Sequence, residues 1–148
     1  MAIIINKGDS PKFYMYVRDI YGNDLGITRS DFTELKYTVY KYSGTTRQAV
    51  EGFTNITIPA ENYYVQPQEY PSTIKGLSKD EIESGYNFTF FPYKVVQDNG
   101  VDVWASPFSD YNAVYDVVIS MAYQMNDEAL DGPALLKRTF SVSVQTRS

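Results

Sequence analysis

A carboxylate set among β-branched and aromatic residues is the first position in this chain that could do chemistry. Asp116 lies in Val114-Tyr115-Asp116-Val117-Val118-Ile119, and a charge within such a run needs a partner, because an uncompensated buried carboxylate is costly. With a second carboxylate beside it, Asp116 could do acid and base work on a glycoside. No second carboxylate is positioned to be its mate, so the simpler expectation is a charge on a solvated or partner-facing side of a sheet. Asn126, Asp127, Glu128 and Asp131 form another polar group. They could gather around calcium, which takes about six to eight oxygen ligands, but their spacing lacks the alternating acidic pattern of a calcium loop. Acidic turns are usual on surfaces, and Asp98-Asn99-Gly100-Val101-Asp102 is likewise a hairpin before it is a ligand set.

Nucleophiles have no activating neighbours. Cysteine and histidine are both absent, which removes thiolate chemistry, disulfides, the commonest zinc ligand and the usual general base. A Ser-Lys arrangement is the residual choice, yet Ser78-Lys79 opens a short helix, where Ser78 and Glu81 match a capping box. Gly8-Asp9-Ser10 has no following helix to make a phosphate loop. The expectation is a protein without catalytic residues, metal or cofactor.

The formal charge of −5 and a pI near 4.6 argue against a nucleic-acid binder, since such proteins gain affinity by neutralising phosphates with Lys and Arg. Met1-Ala-Ile-Ile-Ile-Asn-Lys7 carries only a short apolar run, far from a signal core of about 7 to 15 residues or a membrane span of roughly 20. Synthesis in the cytoplasm without membrane insertion is expected, and the sequons at Asn55 and Asn87 then read as chance matches. A chain of 148 residues suits one domain over 1–148, large enough to bury about 68–70% of its unfolded surface.

Alternation dominates the rest. Phe13, Met15 and Val17 face one way over 12–18, and Tyr14 and Tyr16 the other. Leu35, Tyr37 and Val39 oppose Tyr40 and Tyr42 over 35–42 in the same manner. Further strands are expected at 53–58, 62–65, 86–96 with an interruption at Pro92, 101–104, 114–123 and 136–145. Residues 114–123 make the best central strand, with Tyr115, Val117, Ile119, Met121 and Tyr123 on one face. Leu25, Ile27 and Phe32 are candidate core plugs from the loop at 24–34. Residues 66–85 form an insertion: an extended excursion with Pro67 and Pro71, then one or two helical turns ending at Gly85. Seven to nine short strands with almost no helix predict an all-β antiparallel sandwich, immunoglobulin-like in architecture at most, because the Cys-Trp-Cys core is missing.

The chain holds 14 Tyr and 8 Phe. If the strands at 12 and 35 share a sheet, Tyr14, Tyr16, Tyr40 and Tyr42 line one outward face. Such a face could stack on sugar rings, be covered by another subunit, or lie under residues 66–76. Tyr63 and Tyr64 join these four as candidate interface residues.

Both ends of the chain resemble the amino-terminal immunoglobulin-like domains of tailed-bacteriophage structural proteins. The residues that carry the resemblance are Lys7-Gly8-Asp9-Ser10, the strand Phe13 to Arg18 ending in Asp19, Gly22-Asn23-Asp24-Leu25, and Leu35 to Lys41. Near the other end they are Tyr115, Val117 and Ile119, then Phe140, Val142 and Val144. Residues 43–112 depart from the pattern. The resemblance implies a multi-copy virion subunit of tail, neck ring or baseplate, or a head decoration protein, whose partners are other virion proteins and copies of itself. A carbohydrate-binding module is the rival expectation.

Overall fold

The computed structural model describes residues 2–9, 11–19, 21–125 and 132–145. Eleven strands follow one another among them. The first six are β1 (Ala2–Ile5), β2 (Phe13–Met15), β3 (Phe32–Ser43), β4 (Thr46–Ala49), β5 (Ile56–Thr57) and β6 (Tyr63–Gln68). Helix α1 (Lys79–Ser84) precedes β7 (Tyr86–Phe90), β8 (Lys94–Asp98), β9 (Val101–Ala105), β10 (Val114–Met125) and β11 (Gly132–Val144). The fold is all-β and sandwich-like. A six-stranded sheet runs β1-β11-β10-β3-β4, with β5 also on β3; a three-stranded sheet runs β2-β7-β6; β8 and β9 form a separate pair.

Strand β10 lies at the middle because it is apolar on its inner face for its whole length. Tyr115, Val117, Ile119, Met121 and Tyr123 are all buried, and the strand pairs antiparallel with β11 on one side and β3 on the other. Phe140, Val142 and Val144 of β11 and Leu35, Tyr37 and Val39 of β3 continue that layer. Each fully buried Val, Ile or Phe side chain contributes about 1.5–3 kcal/mol relative to exposure. Aromatic rings join the sheets: Phe13 stacks on Phe90 at 5.2 Å and meets Phe140 at 4.7 Å, while Tyr37 lies 5.4 Å from Phe90. Phe108 plugs the end of the sandwich, edge-on to Tyr115 at 5.3 Å, and its carbonyl accepts from the Gly8 amide at 2.9 Å. Leu25 and Ile27 are buried and Phe32 packs against the core, so the loop residues expected inside do lie there.

The strand count exceeds the expected seven to nine because two short edge strands carry no usable alternation. β1 is four residues, and it pairs parallel to β11, so the sheet is mixed rather than wholly antiparallel. β4 is exposed throughout and completes a hairpin with β3. The 53–58 segment is strand only over Ile56–Thr57. Pro92 interrupts 86–96 as expected: β7, the central strand of the small sheet, ends at Phe90, two residues before the proline, and β8 begins at Lys94 in the separate pair. Helix α1 has the Ser78 and Glu81 capping box, and Gly85 follows at φ 73°. A Cβ there would collide with the Gln68 carbonyl, so glycine is required both by the turn and by the close approach of β6.

β2 stops at Met15, although alternation continues to Arg18, because a side chain takes over the pairing. The Val17 amide donates to Asn87 Oδ1 at 2.7 Å, and Asn87 Nδ2 donates to the Val17 carbonyl at 2.9 Å. Asn87 is buried, so its carboxamide stands in for one rung of the β2–β7 ladder. A glycan on the Asn87 nitrogen would be incompatible with its burial and with its bond to Val17. An Asn87→Ala change leaves two buried backbone groups unpaired, each at about 1–3 kcal/mol. Urea unfolding is expected to show a loss of about 2–6 kcal/mol; a loss below about 0.5 kcal/mol, the scatter of a neutral surface change, would contradict this account.

Candidate functional site

Asp116 is buried on the outer side of the large sheet and fully engaged. Its Oδ2 accepts from Arg47 Nη1 at 2.9 Å and from the Tyr42 hydroxyl at 2.8 Å, and its Oδ1 accepts from Ser141 Oγ at 3.1 Å. Arg47 also lies 4.4 Å from the Tyr40 ring centroid. The expected solvated or partner-facing charge is instead buried, because its ion-pair partner comes from β4, the strand that alternation missed. With three donors from Arg47, Tyr42 and Ser141, Asp116 cross-links β3, β4, β10 and β11. Among the described residues no group of three or more acidic side chains could hold a metal. The acidic turn at 126–131 lies outside the described residues, as does Ser10 of Gly8-Asp9-Ser10.

The expected four-tyrosine face does not form. β2 belongs to the small sheet and β3 to the large one, so Tyr14 and Tyr16 are separated from Tyr40 and Tyr42. Tyr40 and Tyr42 serve the Asp116 network. Tyr16 donates to Asp24 Oδ1 at 2.5 Å and is covered by the Arg18 guanidinium at 4.5 Å. Tyr14 meets Tyr86 edge-on at 4.9 Å and Tyr70 at 6.2 Å, so residues 66–76 partly cover it, one of the three possibilities for this face. Tyr64 packs on the same cluster, 5.7 Å from Tyr86. Tyr63 is not a surface residue: it is buried, edge-on to Phe32 at 5.2 Å, and donates to the Ile27 carbonyl at 3.3 Å. An open cleft of about 510 Å³ runs between Tyr14, Tyr16 and α1.

A further exposed aromatic surface, which the alternation did not single out, stands on the β8–β9 hairpin. The β8–β9 hairpin, turned by Asp98-Asn99-Gly100-Val101, leaves the sandwich as an arm. Opposite residues of an antiparallel pair share a face, so Val95 and Trp104 lie together with Gln97 and Asp102. Trp104 is 66% exposed and Val95 50%. Beneath the indole, Tyr93 stacks at 4.3 Å and 10°, and Phe91 meets it edge-on at 5.7 Å. The signal for this surface was present in Phe91-Pro92-Tyr93 and in a hairpin with valines on both faces; what was absent was any indication that the indole would stay 66% exposed.

Phenol ionisation gives a readable pH response. Burial pushes Tyr37 up to about 12, helped by Tyr93. Tyr63 is also raised by burial, and Tyr42 by its hydrogen bond to Asp116. Raised phenols hold their protons in the folded chain after the unfolded chain has lost them, so their stabilisation is complete below the ordinary value of 10.0 and falls away above it. The melting temperature is expected to drop steadily from pH 10 towards pH 12, tracked by phenolate absorbance. A flat profile would contradict the burial of Tyr37. Trp104 is the sole tryptophan, so its emission reports the arm alone. Strong acrylamide quenching is expected, and Trp104→Ala is expected to change stability by no more than about 0.5–1.5 kcal/mol, the worth of an aromatic pair.

No family model, no curated protein and no solved structure matches this chain.

Proposed function

We propose that this protein is a non-enzymatic structural subunit of a tailed-bacteriophage virion, placed in the tail, neck ring or baseplate and working through contacts with other virion proteins and with copies of itself. The observation that carries the reading is the arm. A two-stranded hairpin is marginal by itself in water, and this one keeps Trp104 and Val95, side by side on one face, at 66 and 50% exposure, the kind of apolar surface that marks an interaction site. The sequence resemblance at both ends supplies the virion context. Non-enzymatic action is supported by Asp116, whose oxygens are occupied by Arg47, Tyr42 and Ser141.

Mass spectrometry of purified particles tests this directly, with immunogold labelling to separate tail, neck and baseplate from the head. The protein is expected in particles at many copies. Its absence from them would end the virion reading, and label confined to the capsid shell would make it a head decoration protein instead.

One observation favours a second reading, a carbohydrate-binding module: the open face of the Trp104 indole beside Gln97 and Asp102. Titration of Trp104 emission with oligosaccharides addresses it. Saturable quenching by a monomer at micromolar to millimolar sugar would support it, and no response would remove it.

A further inference from the structure

We propose, resting on the assembly reading above, that the arm of one copy docks into the groove between β2 and β11 of a second copy, in a head-to-tail contact. The groove holds about 210 Å³ and is lined by Ile3, Phe13, Met15, Val17 and Phe140, with Arg138 at its rim. It exists because the small sheet ends at β2 and the large sheet at β1, so the sandwich is open along that side. Met15, Ile3 and Phe140 are core-facing residues that no further strand covers completely.

Arm and groove match in polarity, spacing and charge. On the arm, Asp102 and Trp104 are two residues apart on one face of β9; in the groove, Arg138 and Phe140 are two residues apart on one face of β11. Both steps span about 6.7 Å, so the indole can lie against Phe140 and Met15 while the Asp102 carboxylate meets Arg138. Arg138 has capacity for that bond. It donates to the Lys137 carbonyl at 2.8 Å and the Arg18 carbonyl at 2.6 Å, and among the described residues it forms no ion pair. Asp102 accepts from the Gln97 side chain and forms no ion pair among those residues either. Arginine and carboxylate brought together at an apolar contact make a short, charge-assisted bond.

Position favours two copies over one. Lys94 at the arm's root lies over Phe53 at 5.2 Å, and Tyr93 and Val95 stand beside Ile56 and Thr57, on the β5 side of the large sheet. The groove lies on the β1 side, at the other end of the strand order. Two different patches that complement each other make a heterologous interface, which closes into a ring or extends as a row.

A charge exchange tests this in purified protein. Arg138→Glu and Asp102→Arg should each be monomeric alone, because like charges then face each other. Mixed in equal amounts, they should assemble, since every arm now meets a groove of opposite sign. Sedimentation velocity reads the difference, expected as at least a tenfold change in association constant, or about 1.4 kcal/mol. Because Arg138 also bonds Arg18, a disulfide test keeps the outcome clear if that variant is unstable. The chain has no cysteine, so Val95→Cys and Met15→Cys copies should cross-link with each other at a rate well above Val95→Cys with Thr46→Cys. A wild-type protein that stays monomeric at high concentration, or arm and groove cysteines that pair no faster than the control, would overturn the docking and leave the virion reading standing. Absence from particles would end the virion reading and leave a docking measured in purified protein intact.

Discussion

Burial of one face of β10 is the constraint on which the molecule depends. Its inner residues are covered by the small sheet and its two edges are occupied by β3 and β11, so backbone pairing and apolar burial are satisfied by the same placement. Everything else follows from how far that cover extends. Phe88, Phe90 and Phe13 bring large aromatic faces down onto β10, β3 and β11, but three strands cannot cover six. At one side the sandwich closes with Phe53 and Ile58; at the other it ends at β2 and leaves the groove by Ile3, Met15 and Phe140.

Side chains replace missing backbone partners at the margins of this core. Asn87 pairs the Val17 peptide where β2 departs from β7. Asp19 turns the chain by accepting from the Tyr21 and Asn23 amides at 2.9 Å each, with Gly22 at φ 83°. Asp116 gathers Arg47, Tyr42 and Ser141 on the outer side of the large sheet. Asn87 and Asp116 are buried, and each is a polar group costly to bury alone that is placed where it satisfies others. Asp116, which invited a chemical reading, thereby becomes part of the framework.

Tyrosine serves both purposes in this chain. Tyr63 and Tyr115 are buried, with their hydroxyls bonded to the Ile27 carbonyl and the Asp110 amide. Tyr14, Tyr64, Tyr70 and Tyr86 form a half-buried cluster that holds residues 66–76 on the small sheet. The insertion is therefore fastened through Tyr70, and the arm remains an exposed apolar element.

By itself the sequence determined the all-β class, the long strands β3, β10 and β11, their inward faces, the helix with its cap at Ser78, and the Asp98-Asn99-Gly100 hairpin. Those are local properties: a period of two assigns a face within one strand, and turn and cap chemistry acts over three or four residues. The tertiary structure decided which strands are neighbours, and with that the fate of every candidate site. Tyr14 and Tyr40 have the same pattern in their strands yet lie in different sheets, because alternation carries no information on the partner. The exposed strand β4 brought Arg47 to Asp116, and the parallel β1 was too short to display a period. Whether a ring such as Trp104 is covered depends on residues distant in the chain, and for that one the fold left the indole in solvent.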